Sequence, residues 1–89
     1  MYRVQWRKSV VIDLALEWSQ ADPLLGKAIR AAFDRIEMLL RDDPWAHGES
    51  RPRDRRIVFV PPVVVTYSIA DDVREVSILD ARVMRKRGA

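Results

Sequence analysis

The sequence of 89 residues is long enough for one small domain, carries a net charge of +3, and combines 48% hydrophobic with 33% charged residues, the balance of a globular chain. With no cysteine and a single histidine it excludes disulfides, thiolate metal sites and an imidazole-built zinc site, and no metal or other cofactor is implied. No apolar run reaches the roughly 18 residues of a membrane span and no leader pattern opens the chain, so no membrane role and a cytoplasmic setting are expected.

The opening "YRVQW" (2–6) alternates, with Tyr2, Val4 and Trp6 on one side and Arg3 and Gln5 on the other, as a half-buried strand does. Ser9 is the expected N-cap of a first helix from about Val10 to Gln20. There Val10, Val11, Leu14, Ala15 and Trp18 recur at helical spacing and bury one face. "ADP" (21–23) breaks the chain: Asp22 can cap, and Pro23 fits the first turn of a second helix running to about Arg41. Leu25, Ile29, Ala32, Ile36 and Leu39 or Leu40 form its buried stripe, with Phe33 beside them. The short break predicts an antiparallel helical hairpin. "DDPWAHGES" (42–50) reads as a loop, because Pro44 cannot continue the helix and Gly48 marks a turn.

The remainder reads as sheet. "RRIVFV" (55–60) and "VVVTYSIA" (63–70) are β-branched and aromatic, and Tyr67 falls in phase with the apolar residues Val63, Val65 and Ile69. Pro61 and Pro62 lack N–H donors and belong at a strand end, an edge or a bulge. Asp71-Asp72 forms the turn before a return strand, "VREVSILDARV" (73–83). The expected fold is α+β in the order β-α-α-β-β-β, with the helical hairpin packed on one face of a mostly antiparallel four-stranded sheet. A single domain spans 1–89, with 82–89 as a basic tail.

Charge is unevenly placed. Residues 1–50 hold seven Lys/Arg against eight Asp/Glu, whereas residues 51–89 hold nine against five. Half of the sixteen cations sit in "RPRDRR" (51–56) and "RVMRKR" (82–87). A basic half on a balanced half predicts an anionic partner, nucleic acid first and acidic protein second, against the plainer alternative of a solubilising surface.

The order of elements, together with "YRVQW", Asp13-Leu14, Ala28-Ile29, "DDPWAHG", "RRIVF", "VVVTYSIADD" and "VSILDAR", resembles the RelE/ParE superfamily of bacterial toxin–antitoxin toxins. These pieces cover most of the chain, and their specificity lies in their joint order. The resemblance implies a toxin neutralised by a cognate antitoxin protein. One branch of the family cleaves mRNA on the ribosome; another poisons DNA gyrase and lacks the catalytic groups.

Cleavage at an RNA 2′-hydroxyl needs a proton acceptor, a cation on the phosphate and a proton for the leaving 5′-oxygen. Arginine suits the phosphate, because its planar fork grips two oxygens. Arg82 matches the family's last-strand arginine, and it is expected to form a phosphate clamp with Arg56 or Arg55, which as strand neighbours point to opposite faces. Arg51, Arg53, Arg55, Arg85, Lys86 and Arg87 are the expected nucleic-acid contacts. The alternative for each arginine is a surface ion pair with Asp54, Glu75 or Asp80. The tyrosine, or histidine-tyrosine pair, that the resemblance implies after the last arginine is missing: the chain reads Val83, Met84, Arg85, Lys86, Arg87. His47 is the candidate catalytic base, with Glu49 and Lys86 as lesser candidates, while Trp45 either stacks on a base or plugs its loop. The expected function is ribosome-dependent mRNA cleavage. Its alternatives are gyrase inhibition and a catalytically inactive module that only binds antitoxin.

Overall fold

The computed structural model describes residues 1–84, so Arg85, Lys86 and Arg87 lie outside the described residues. Strand β1 (Arg3–Trp6) ends where the Arg7 amide donates to the Ile78 carbonyl, and the chain turns at once into helix α1 (Lys8–Gln20). The Val11 amide closes the first turn on the Arg7 carbonyl at 3.0 Å. Ser9 therefore lies inside the helix and does not cap it; no side chain caps this end. Helix α2 (Pro23–Asp42) begins as its signals predict, with the Asp22 carboxylate accepting from the Leu25 amide at 2.9 Å and Pro23 in the first turn.

Gly26 lies buried in α2 beneath the α1 indole of Trp18. A Cβ there would sit 3.4 Å from Trp18 Nε1, at the end of a side chain that is itself half-exposed and free to shift. Gly26→Ala is expected to stabilise the protein by about 0.5–1 kcal/mol, from reduced backbone freedom of the unfolded chain. A urea melt whose midpoint falls instead would mean that the indole cannot move.

The sheet has five strands, not the expected four, in the order β1-β5-β4-β3-β2. The additional strand is β2 (Glu49–Arg51), within and just past the stretch read as loop. Three polar, exposed residues give no periodic signal; what makes them a strand is backbone pairing, Glu49 opposite Ile57 and Arg51 opposite Arg55. The connecting turn places Arg53 and Asp54 at positive φ (66° and 59°). Strands β3 (Arg55–Val60), β4 (Val63–Ala70) and β5 (Glu75–Val83) follow the sequence reading closely. Pro61-Pro62, joined by a cis peptide bond, forms the β3–β4 connection, and a single 3₁₀ turn (Asp71–Val73) forms the next. β1 runs parallel to β5; every other pairing is antiparallel.

Val10, Leu14, Ile29, Ala32, Ile36 and Leu40 from the helices pack on Val63, Val65, Tyr67, Val76 and Ile78 from the sheet. Each large aliphatic buried this way contributes about 1.5–3 kcal/mol. Trp6 stacks on Phe33 at 4.2 Å between centroids and donates its indole N–H to Glu37 at 2.7 Å, so its polar end is satisfied at the edge of the core.

One irregularity in β5 decides what faces outward. Thr66 lies opposite Asp80 but Tyr67 lies opposite Ile78, so Leu79 is an extra residue without a partner on β4. This β-bulge resets the alternation: Val76 and Ile78 point into the core before it, Ala81 after it. Asp80 and Arg82 consequently face away from the helices.

Candidate nucleic-acid interface

The helices cover one side of the sheet. On the other side, strand register arranges the side chains in rows. Phe59, Val64 and Arg82 lie opposite one another across β3, β4 and β5. The next row is Glu49, Ile57, Thr66 and Asp80; the one after is Arg51, Arg55, Ser68, Ser77 and Gln5. Three guanidiniums (Arg51, Arg55, Arg82) thus share the open face with two carboxylates (Glu49, Asp80), and one row further on Arg3 and Glu75 lie opposite one another and pair at 3.9 Å.

Arg82 Nε donates to Asp80 at 3.2 Å, and an Arg51 terminal nitrogen donates to Glu49 at 3.2 Å. Both pairs are open to solvent, where such contacts contribute about 0–1 kcal/mol and yield readily to a stronger anion. Arg55 has no ion-pair partner among the described residues, and Arg53 lies exposed in the β2–β3 turn. Arg55 and Arg82 are offset by about 13 Å along β4 and about 10 Å across the strands, a spacing for two phosphates and not one. At Arg82 the basic surface meets a groove of ≈ 520 Å³ between α1 and β5, lined by Asp13, Glu17, Asp80 and Arg82 itself.

Arg56 and His47 are elsewhere. Arg56 lies opposite Tyr67 on the helix side, and its guanidinium is a hub for the loop after α2. It donates to the carbonyls of His47 (3.0 Å), Gly48 (3.2 Å) and Trp45 (3.4 Å) and to the Ser50 hydroxyl (3.1 Å), and it lies over the Trp45 ring. His47 serves this loop through its carbonyl; its imidazole has no hydrogen-bond partner among the described residues. The structure therefore does not bring Arg56, His47 and Arg82 together. Arg56→Met, which keeps the apolar stem but strands these carbonyls, is expected to lose about 1–3 kcal/mol of stability in a denaturant melt. An unchanged midpoint would remove the hub.

Tyr67 is fully buried, and its hydroxyl reaches the carbonyls of His47 (2.7 Å) and Pro44 (2.9 Å). Burial pushes its pKa up, partly offset by Arg56, so the phenol remains a donor to the loop. Trp45 is tied down as well: its indole N–H donates to Asp71 at 3.1 Å, and Tyr2 donates its hydroxyl to the same carboxylate oxygen. Those hydrogen bonds, Tyr2 first, hold the Asp71 carboxyl below the usual range. A lowered carboxylate pKa adds stability above its unfolded value, and that contribution is lost as pH falls through the folded value.

The strand spacing i, i+2 places Glu49 with Arg51 and Asp80 with Arg82, a signal present in the sequence that the polar, loop-like character of Glu49–Arg51 hides. Among the described residues, the open face holds no histidine and no tyrosine.

No protein-family model matches the chain, and no curated protein matches its sequence significantly. Solved structures do match. A chain of the toxin–antitoxin complex RelBE2 from Mycobacterium tuberculosis superposes with a TM-score of 0.70 at 20% identity, over 92% of this chain and 96% of that one. The intact RelBE toxin–antitoxin complex of E. coli gives 0.65 at 11% identity, over 98% of this chain and 100% of the other. The isolated E. coli RelE toxin gives 0.64 at 10% identity, over 98% and 88%. With the helical hairpin, the sheet order and near-complete mutual coverage in agreement, this chain has the fold of the RelE toxins.

Proposed function

We propose that the chain is the toxin of a toxin–antitoxin pair and inhibits translation by cleaving mRNA on the ribosome, with the open sheet face as its working surface. The observation that carries this reading is the set of arginines on a face that no helix covers, in a fold shared with RelE toxins. Arg82 holds the scissile phosphate, and Arg51 and Arg55 hold the strand on either side of it. Asp80, in hydrogen-bond contact with Arg82, takes the 2′-hydroxyl proton. The freed 2′-oxygen attacks phosphorus, the P–O5′ bond breaks, and the departing 5′-oxygen takes a proton from water.

The partner is a cognate antitoxin, by analogy with the RelBE complexes. The cleft between α1 and α2 (≈ 340 Å³; Val11, Leu14, Trp18, Ile29 and Phe33) suits the apolar face of an amphipathic segment. A second reading, a toxin that acts on DNA gyrase without chemistry, is favoured by the lack of imidazole and phenol on the open face of the described residues.

Primer-extension mapping of a reporter mRNA in a reconstituted translation reaction tests both. Cuts within translated codons are expected. Intact mRNA at a dose that arrests growth would sink the nuclease reading, and a supercoiling assay with purified gyrase would then decide the second.

A further inference from the structure

Phe59 is the large aromatic of the open face. It stands on β3 with 56% of its surface exposed, although β-strand phenylalanines ordinarily point inward. It forms, with Ile57, Val64 and Met84, the floor of a groove of ≈ 530 Å³, and Glu49 and Arg51 form one rim. Arg82 closes the same cross-strand row, about 10 Å from Phe59 across two strand spacings. Thr66, two positions along β4 from Val64, adds a hydroxyl beside the apolar floor.

Resting on the RNA-cleavage reading, we infer that Phe59 is the stacking platform for one base of a single-stranded RNA, whose flanking phosphates lie on Arg82 and Arg51. Aromatic faces set between cations are how proteins hold unpaired nucleotides, because every base has a π-face and every link carries a charge. The apolar cleft between α1 and α2 is a useful contrast. Its floor is equally apolar, but it offers one arginine, Arg30, already within reach of Asp34 at 3.6 Å, and so it suits a protein segment. The Phe59 groove joins an exposed ring to guanidiniums held by solvent-exposed contacts, an ion pair for each and the Ser50 carbonyl for Arg51, and a phosphate displaces exposed ion pairs at little cost. Trp45, the other exposed aromatic near the arginines, does not compete for this role, since its indole is anchored to Asp71 and its ring lies against Arg56.

The test compares wild-type protein with Phe59→Ala, Phe59→Leu and Phe59→Trp for binding to a short unstructured oligoribonucleotide by fluorescence anisotropy, and for cleavage in reconstituted translation. Phe59 is exposed, so thermal melts close to wild type are expected for all. Phe59→Ala is expected to weaken binding about 5- to 100-fold, Phe59→Leu nearly as much, and Phe59→Trp to retain it. Binding by Phe59→Leu equal to wild type would reduce the contact to apolar burial and overturn the platform. If wild type cleaves and Phe59→Ala binds and cleaves equally well, the platform falls while the nuclease reading stands. If wild type binds the oligonucleotide through Phe59 without cleaving mRNA, the platform stands and the nuclease reading falls. Loss of antitoxin binding in Phe59→Ala with RNA binding intact would assign the groove to the protein partner and also overturn it.

Discussion

Arg82→Ala is expected to lower ribosome-dependent mRNA cleavage by roughly 100-fold or more while moving Tm by no more than about 4–8 °C. The two effects separate because Arg82 contributes little to the folded state. Its one ion pair among the described residues is the solvent-exposed pair with Asp80, and it stands on the face of the sheet away from the helix-side core. In the proposed reaction the same guanidinium would face charge that grows on the phosphate as the 2′-oxygen attacks, and cationic hydrogen bonds to such charge are worth far more than a surface ion pair. Arg82→Lys keeps the charge but loses the two-pronged grip, so an intermediate rate is expected. Asp80→Asn should depress the rate, since the proton acceptor is removed while Arg82 remains. Cleavage by Arg82→Ala at the wild-type rate would remove this arginine from the chemistry.

The largest effect on stability is expected at Gly48. Its φ is +75°, and a Cβ added there would lie 2.7 Å from the Ile57 carbonyl oxygen and 2.7 Å from the Tyr67 hydroxyl. Neither neighbour can retreat: the first is backbone of β3, paired on both sides by β2 and β4, the second a fully buried ring holding the loop. Left-handed backbone costs a non-glycine residue about 1–2 kcal/mol, and the steric term adds to it. Gly48→Ala is expected to lose about 2–4 kcal/mol, a fall in Tm of roughly 10–25 °C for a domain of this size. Gly48→Asn distinguishes the causes. Asparagine tolerates positive φ, so an equal loss would identify the clash and a smaller loss the backbone. Because Arg56 holds the same loop, Gly48→Ala combined with Arg56→Met should cost less than the sum of the two. A Gly48→Ala protein that melts like wild type would mean that the loop is not fixed by these contacts.

Much of the fold was legible in the sequence, and the failures have identifiable causes. α2, β3 and β4 announce themselves through long periodic runs with clear punctuation at Asp22-Pro23 and Pro61-Pro62. β2 does not, because Glu49–Arg51 becomes a strand only through hydrogen bonds to a partner already in place. At the start of α1 the serine signal is overridden by the last β1–β5 hydrogen bond, which fixes where the chain must turn. The candidate site was legible in part. Arg82 lies on the open face in company with Arg55, and of the two neighbours on β3 only the structure selects which one shares it. Arg56 reads as a second phosphate ligand in the sequence, yet one of its terminal nitrogens is taken up by loop carbonyls some eight to eleven positions back along the chain, a tertiary contact with no local pattern.

Counting by twos from Val76 and Ile78 would place Arg82 on the core side of the sheet; the unpartnered Leu79 is what turns it outward. Seen as genetics, this makes the strand a frame within the frame. Losing the single Leu79 codon would make Ile78 and Asp80 consecutive residues opposite Tyr67 and Thr66, and Arg82 would still face outward, now on an unbulged ladder. An alignment that counts strand positions by twos must therefore skip position 79, and a shorter allele without that residue would keep the same outward arginine.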